Sequence, residues 1–232
     1  MPTSRRIGPI THLVSDCDGV LIDSEAVALD ALLSALQPRF GDGERLVGLI
    51  RPLLGRELAP LLVEVFGECG ADASEAELAA IRALVEAQCD LRLALVPGVA
   101  SAMAAIALPK AVASNSSSAR VHAALGRTGL APLFGARIYT PDLVGSAKPH
   151  PGVYLVAAGG FDVAPGACAA VEDSVTGVTA AAAAGMYVLG FTGGGHIVAG
   201  QAARLRAAGA HATFDAMAQL PGLIDALTKP KT

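Results

Sequence analysis

The sequence predicts an α/β fold, in which a parallel sheet lies between two layers of helices and an all-helical cap is inserted. Three observations lead to this prediction. Short apolar segments end abruptly at polar residues, as buried parallel strands do where their carboxyl ends open into functional loops. Helical stretches separate these segments, which is typical of right-handed crossovers between parallel strands. One long stretch carries apolar residues at helical spacing with no strand in it.

The strands and helices of the core alternate along the chain. Four apolar segments are predicted strands: 12–15, 110–113, 167–171 and 187–189. Four stretches with helical spacing are predicted helices of the same core: 99–107, 119–125, 152–158 and 175–184. Ser174 directly precedes the last of these helices and is predicted to cap it. This order predicts a three-layer core with one parallel sheet.

Between the first and second strands, the alternation of strand and helix is interrupted. The predicted helices of this insert are 26–36, 46–53, 57–66 and 74–93. Ser74 and Glu77 have the spacing of a capping box at the start of the last helix, and Pro97-Gly98 marks the return to the core. The predicted domains are therefore an α/β catalytic core of residues 1–20 and 93–232 and a helical cap of residues 21–92.

Composition excludes several classes of protein. Of the 232 residues, 53% are hydrophobic and 16% are charged, which excludes intrinsic disorder. A formal net charge of -4 provides no basic field for nucleic acid or an anionic membrane surface. The longest stretch without Asp, Glu, Lys or Arg, Ser174 to Ala203, is broken by glycines, so no membrane-spanning helix is predicted. No obligate protein partner is inferred.

The cysteines and the N-terminus bear on location. Four widely spaced cysteines form neither a paired metal-ligand pattern nor a disulfide framework: Cys17, Cys69, Cys89 and Cys168. The N-terminus reaches Asp16 before any apolar stretch long enough for a signal peptide. We therefore expect a protein of the reducing cytoplasm.

Polar residues at the predicted strand ends, together with one loop lysine, are the candidate site. They are Asp16, Asp18, Ser114, Asn115, Lys148, Glu172 and Asp173. Ligands of open parallel sheets bind outside the carboxyl ends of the strands, so these side chains should converge. Each pair of like charges about 4 Å apart costs about 4 kcal/mol at an effective dielectric of about 20, so four acidic groups need positive charge. Lys148 supplies one such charge, and oxygen donors without a His or Cys cluster favour Mg²⁺ over zinc as the other source.

These residues belong to four motifs that resemble those of the haloacid dehalogenase-like hydrolase superfamily. The motifs are Asp16-Cys17-Asp18-Gly19-Val20-Leu21 with Ile22-Asp23-Ser24-Glu25, then Ser114-Asn115, then Lys148-Pro149-His150-Pro151, and last Glu172-Asp173-Ser174 with Gly177 and Ala184-Gly185-Met186. The resemblance runs from Leu13 to about Phe214 and is closest to the capped phosphatase branch, which includes β-phosphoglucomutase-like and sugar-phosphate phosphatase-like enzymes. It implies a Rossmann-like core and a Mg²⁺-dependent phosphatase.

The resemblance also implies a role for each motif residue. Asp16 would attack phosphorus to give an aspartyl-phosphate, and Asp18 would protonate the leaving alcohol and later deprotonate water. Mg²⁺ would be held by the Asp16 carboxylate, the Asp18 backbone carbonyl and Asp173, with Glu172 as a direct or water-bridged ligand.

Phosphate binding is implied for a further set of groups. Lys148 and Ser114 would bind the phosphoryl oxygens, together with backbone amides around Asn115 and Asp18-Gly19, and Gly19 would leave room for close approach. Asn115 has a second interpretation, as a cap of the helix that follows it. The roles of His150 and His196 stay open.

The predicted cap offers candidates for substrate recognition. Arg51 and Arg56 lie in a segment, residues 51–57, that resembles the substrate-specificity loop of the family, and a guanidinium there would hold a carboxylate or hydroxyl. Glu25 is a third candidate. A small phosphorylated sugar or sugar acid suits such a cap; the sequence identifies neither the substrate nor the oligomeric state.

Positions that distinguish branches of the family favour hydrolysis. The dehalogenase branch lacks an acid where this chain has Asp18, and the phosphonate-cleaving branch needs a cap lysine, whereas residues 21–92 contain none. The phosphosugar mutases place a histidine where this chain has Ala28. A mutase remains the alternative enzyme. A phospho-acceptor signalling domain is the remote alternative, and the late position of Glu172 and Asp173 disfavours it.

Overall fold

The computed structural model of the chain describes residues 8–54, 58–195, 197 and 199–229. These residues form two compact units. The first, called the sheet unit, comprises the described residues up to Ile22, Leu95–Gly194 and those from Gly200 onward. The second, called the helical unit, comprises the described residues of Asp23–Ala94 and Gly195–Ala199.

A six-stranded sheet forms the centre of the sheet unit. Its strands are β1 (His12–Ser15), β2 (Lys110–Ala113), β3 (Ile138–Tyr139), β4 (Cys168–Glu172), β5 (Tyr187–Phe191) and β6 (Ala212–Phe214). All neighbours are parallel, in the order β3-β2-β1-β4-β5-β6. The predicted parallel sheet is therefore confirmed, with the short strands β3 and β6 added at its two edges.

The register of the sheet decides which loops meet. Ser15 lies opposite Val112 on one side of β1 and opposite Val171 on the other. Three polar loops therefore begin at the same edge of the sheet, those that follow β1, β2 and β4. The strands themselves are buried on both faces, as in sheets covered by helices: Leu13, Val14 and Val171 have no exposed surface.

Small side chains allow the helices to pack closely on this sheet. Strands β2 and β4 carry alanines that are fully buried, and Ala180 and Ala181 on the covering helix are fully buried too. The helix predicted for residues 175–184 is therefore present and packs on the sheet. Larger residues such as Tyr154 fill the remaining space in this core.

Helices connect the strands of the sheet unit and are numbered after the four of the helical unit. They are α5 (Val99–Ala105), α6 (Ser118–Arg127), α7 (Ala131–Phe134), α8 (Pro141–Val144), α9 (Gly152–Gly159), α10 (Val175–Ala183), α11 (Gln201–Ala208) and α12 (Leu220–Thr228). Ser174 caps α10 as predicted, since its Oγ accepts a hydrogen bond from Gly177 N at 3.0 Å. Ser117 caps α6 through Arg120 N at 3.4 Å, so Asn115 is not the cap of that helix.

The helical unit contains α1 (Ser24–Phe40), α2 (Gly43–Ile50), α3 (Leu58–Glu68) and α4 (Glu75–Leu91). Their apolar faces share one buried cluster that includes Leu32, Leu62 and Phe66. The predicted helix 46–53 becomes a 3₁₀ turn at Arg51–Leu53, where Pro52 cannot donate the next α-helical hydrogen bond. The predicted capping box is half formed, because Ser74 Oγ accepts from Glu77 N while the Glu77 carboxylate pairs with Arg39.

Two further expectations concern membranes and disulfides. Over the described ranges, no helix combines the length and the apolar character that crossing a membrane requires. All four cysteines are free thiols, consistent with the absence of a predicted disulfide framework. Burial raises the pKa of the Cys168 thiol to about 11, so this thiol is held in its protonated form at neutral pH.

Candidate active site

Three buried carboxylates meet at the carboxyl edge of the sheet. Asp16 follows β1 and its backbone N–H bonds Val171 O at 2.9 Å, while Glu172 ends β4 and Asp173 follows it. Each of the three offers a carboxylate oxygen, and these oxygens all lie within 4.8 Å of one another. Their exposed fractions are 7%, 0% and 2%. Residues 157 positions apart in sequence therefore form one acidic cluster.

Lys148 neutralises part of this cluster. Its Nζ donates to Asp16 Oδ1 at 2.7 Å, to Glu172 Oε1 at 2.6 Å and to Ala113 O at 2.8 Å. The lysine side chain is only 3% exposed, so these contacts are made away from water. In such surroundings, a charged hydrogen bond is stronger than it is at the surface.

The pKa values of Asp16 and Lys148 reflect burial and the attraction between the two side chains. Burial and the nearby Glu172 carboxylate raise the pKa of Asp16 well above its ordinary value, and Lys148 opposes this rise. Burial disfavours the charged form of Lys148, but Asp16 and Glu172 outweigh it and raise the lysine pKa. Lys148 therefore stays protonated, and the acidic cluster has a tendency to retain a proton.

The residues of the cluster fit a divalent cation with a preference for oxygen. One lysine against three carboxylates leaves an excess of two negative charges when all are ionised. The donor set contains oxygen atoms alone, which is the chemistry that Mg²⁺ prefers. Gly177 keeps space for one of the donors, since a Cβ there would lie 1.9 Å from Glu172 Oε1. The cluster is therefore a suitable site for Mg²⁺.

Asp18 lies beside the cluster but is not one of its three carboxylates. Its Oδ2 accepts a hydrogen bond from Ser116 Oγ at 2.8 Å, and its Oδ1 lies 3.9 Å from the Arg120 guanidinium. The Asp18 side chain is 30% exposed, in contrast to the buried Asp16. It is thus the more accessible carboxylate of the first motif, held by residues of the loop and helix after β2.

The remaining predicted phosphate-binding residues line the same edge. Ser114 follows β2, is buried, and accepts a hydrogen bond from Ser116 N at 3.0 Å. Gly19 has a φ of 79°, a conformation that favours glycine, and its N–H donates to Ile22 O at 2.7 Å. Asn115 uses its side-chain amide on the backbone of Lys148. The structure therefore brings Asp16, Asp18, Ser114, Asn115, Lys148, Glu172 and Asp173 together within the sheet unit.

Two residues predicted to contact substrate, Glu25 and Arg51, are described by the structure, and both belong to the helical unit. Glu25 lies in the first turn of α1 and is buried, whereas Arg51 begins the 3₁₀ turn and is exposed. Arg56 and His196 lie outside the described residues. His150 is exposed, and its Nδ1 accepts a hydrogen bond from Gly152 N at 3.1 Å, which supports the turn before α9.

Three residues that contact the site were not predicted from the sequence: Ser116, Arg120 and Tyr154. Ser116 belongs to a run of serines in which no one residue stood out, and Arg120 lies in the first turn of α6, after the helix cap Ser117. Tyr154 lies in α9, where the pattern predicts only a core position. A tyrosine in such an apolar stretch did carry a signal, because a buried tyrosine hydroxyl usually has a hydrogen-bond partner.

Comparison with known proteins agrees with this geometry. The family model described as haloacid dehalogenase-like hydrolase matches residues 10–185. The chain is 28% identical over 182 residues to 6-phosphogluconate phosphatase of Escherichia coli strain K12, covering 78% of this chain and 82% of the relative. It is 32% identical over 189 residues to Protein CbbY of Rhodobacter capsulatus, covering 76% and 83%.

A solved structure agrees over almost the full length. It is that of a HAD family hydrolase from Deinococcus radiodurans R1 with bound phosphate and sodium. The TM-score is 0.82 at 30% sequence identity, and the match covers 97% of this chain and 100% of that one. Together with the family match over most of the chain, this similarity establishes membership: the chain belongs to the haloacid dehalogenase-like hydrolase family.

Proposed function

We propose that this chain is a Mg²⁺-dependent phosphomonoester hydrolase that acts on a small phosphorylated metabolite through an aspartyl-phosphate intermediate. One observation carries the proposal: Asp16 lies in a buried cluster with Glu172 and Asp173 and is bonded to Lys148. Asp16, the proposed nucleophile, therefore lies beside a cationic side chain and beside carboxylates that suit a divalent metal. Catalysis of phosphoryl transfer depends mainly on the positioning of the reacting groups and on the stabilisation of negative charge.

In the proposed reaction, an oxygen of Asp16 forms a bond to phosphorus as the bond from phosphorus to the ester oxygen breaks. Asp18 gives its proton to the leaving alcohol. Asp18 then takes a proton from the water that attacks the aspartyl-phosphate, which releases inorganic phosphate and restores Asp16. The hydrogen bond from Ser116 favours a fixed orientation of the Asp18 carboxylate for both transfers.

Asp16, Glu172 and Asp173 are the proposed metal-binding side chains, with the Asp18 carbonyl as a further ligand. When bound, Mg²⁺ shields the incoming phosphate from the carboxylates and stabilises negative charge in the transition state. Lys148 and Ser114 are proposed to bind the phosphoryl oxygens, together with backbone amides of the loops at Gly19 and Asn115.

A sugar phosphate or sugar-acid phosphate is the proposed substrate class. The Escherichia coli relative is named for a phosphorylated sugar acid, and the Deinococcus structure holds phosphate. We further propose that the helical unit acts as the cap predicted for residues 21–92 and that Glu25 and Arg51 contact the substrate. Arg56 carries the same proposal from its position in the sequence.

Replacement of the nucleophile tests the reaction type. Asp16→Asn should abolish turnover of p-nitrophenyl phosphate, because an amide oxygen cannot form the covalent intermediate. Asp225→Asn is the matched control, since Asp225 is exposed on α12 and pairs with Lys229. Substantial turnover by the Asp16 variant would refute the assignment of the nucleophile, and full activity after EDTA treatment would refute the Mg²⁺ dependence.

A phosphate-release screen tests the substrate class. The panel should contain phosphorylated sugars, phosphorylated sugar acids, nucleotides and phosphoglycolate, each assayed with Mg²⁺. Sugar or sugar-acid phosphates are expected to give the highest kcat/KM. A clear preference for nucleotides would contradict the proposed class while leaving the reaction type intact.

A further inference from the structure

Tyr154 contacts the acidic cluster at Glu172. The residue belongs to α9 and has no exposed surface. Its hydroxyl donates a hydrogen bond to Glu172 Oε1, the same oxygen that accepts from Lys148. The ring of Tyr154 also faces the lysine, with the ammonium 5.1 Å from the ring centroid.

All three N–H donors of the Lys148 ammonium are occupied by protein oxygens. A lysine ammonium has three donors and no acceptor. Those of Lys148 point to Asp16 Oδ1, Ala113 O and Glu172 Oε1, at 2.7, 2.8 and 2.6 Å. A phosphoryl oxygen can therefore bind Lys148 only in place of one of these acceptors.

Glu172 is the acceptor best able to release the lysine. Its Oε1 keeps the hydrogen bond from Tyr154, and its Oε2 accepts from Ser174 Oγ at 3.2 Å. The Glu172 side chain is fully buried, so no solvent can replace a lost donor. Without Tyr154, release of Lys148 would leave Oε1 without a donor, which is costly for a buried carboxylate.

We propose that Tyr154 is a positioning residue whose hydroxyl holds Glu172 while Lys148 turns from Glu172 to the phosphoryl group. This inference rests on the proposed function, because it assumes that Lys148 binds phosphate. Tyr154 acts through Glu172 and Lys148, and it is not proposed to contact the substrate.

The test is phosphate binding by Tyr154→Phe, measured by titration calorimetry with inorganic phosphate and saturating Mg²⁺. The variant keeps the ring, and so keeps its packing and its contact with the lysine. We expect phosphate to bind at least about tenfold more weakly than to the unchanged protein. Affinity within about twofold of the unchanged protein would overturn the inference. Tyr187→Phe is the matched control and should bind phosphate normally, since Tyr187 begins β5 and stacks on His211.

A double-mutant cycle separates this role from a merely structural one. In a Glu172→Gln background, there is no buried charge for the hydroxyl to hold when Lys148 moves. Loss of the Tyr154 hydroxyl should then cost less than about threefold in phosphate affinity. An equal loss in both backgrounds would show that the hydroxyl acts elsewhere and would overturn the inference, whatever its effect on the unfolding temperature.

The outcomes also distinguish this inference from the function on which it depends. If the unchanged protein, loaded with Mg²⁺, bound no phosphate and released none from any ester, the proposed function would fail. If it bound phosphate and Tyr154→Phe bound it equally well, only the role of Tyr154 would fail.

Discussion

Asn115 holds the backbone of Lys148 by two hydrogen bonds. Asn115 Oδ1 accepts from Lys148 N at 2.8 Å, and Asn115 Nδ2 donates to Lys148 O at 3.2 Å. The two residues are 33 positions apart, and this pair joins the loop after β2 to the loop that carries the lysine. The open question of whether Asn115 caps a helix is thus answered by the structure, since Ser117 does so.

Replacing Asn115 should therefore reduce turnover more than stability. Asn115→Ala removes both hydrogen bonds to the Lys148 backbone, and a small displacement of the lysine should lower kcat/KM about 100-fold. Ser117→Ala is the control in the same loop: it should lose about 1 kcal/mol of unfolding free energy with normal kcat/KM. Steady-state kinetics and urea unfolding of both variants check this prediction. Equal losses of kcat/KM in the two would contradict it.

The space beside Glu172 predicts the effect of enlarging Gly177. A Cβ at this position would lie within 2.0 Å of all three atoms of the carboxylate, so Gly177→Ala must displace Glu172. We expect a loss of about 3 kcal/mol of unfolding free energy and weaker Mg²⁺ binding. Gly126→Ala is the matched control, because Gly126 lies in α6 with open space at its Cβ position. It should be neutral or stabilising by up to about 1 kcal/mol. A fully stable Gly177→Ala with unchanged metal affinity would contradict this account of Glu172.

The raised pKa of Asp16 predicts that Mg²⁺ binds more tightly as the pH rises. Because burial and Glu172 raise this pKa, the metal-free protein retains a proton on Asp16 at pH values where an ordinary aspartate has lost it. Metal binding must displace that proton, so affinity should rise about tenfold per pH unit until the pH passes the raised pKa.

The proton that Asp16 retains also affects the free energy of unfolding. A carboxyl whose folded-state pKa is raised stabilises the metal-free protein at low pH, and this contribution is lost as the pH rises from about 4 through the folded-state pKa. Calorimetric titration with Mg²⁺ between about pH 5 and pH 8 measures the linkage. Asp16→Asn should remove most of the pH dependence; an affinity independent of pH in the unchanged protein would contradict the prediction.

Hydrolysis should dominate over transfer to a sugar hydroxyl. The predicted cap has Ala28 where the mutases that the sequence resembles have histidine, and residues 21–92 contain no lysine. These differences leave fewer groups to orient a sugar as acceptor, so water should be the main acceptor. With a hexose phosphate as substrate, inorganic phosphate should accumulate faster than any isomeric sugar phosphate. A faster appearance of the isomer, followed by ³¹P NMR, would favour the mutase alternative.

The strands that carry the site were predictable because they are short apolar segments ending at acidic or hydroxyl residues. The sequence predicts β1, β2, β4 and β5 within two residues at either end. Strands β3 and β6, of two and three residues, are too short for any periodicity to appear. Helix α1 runs beyond its predicted end at Leu36 and includes Pro38.

The residues with proposed chemical roles were easier to identify from the sequence than the residues that contact them. Asp16 and Asp173 stand out by type and by position at strand ends, and Lys148 stands out as one of only four lysines in the chain. The contacts of Tyr154 with Glu172 and of Ser116 with Asp18 depend on which side chains the crossovers bring together, over separations of 18 and 98 positions. The sequence around each residue shows that it has a polar group, but it does not show which distant residue that group contacts.

A phosphoryl group on Asp16 during turnover would be direct evidence for the proposed covalent intermediate. The Mg²⁺-loaded protein is mixed with a substrate found in the screen, quenched in acid at short times and digested for mass spectrometry. We expect a transient phosphate on the peptide that contains Asp16, located on that residue. Phosphate on another residue, or turnover with no phosphorylated peptide at any quench time, would contradict it.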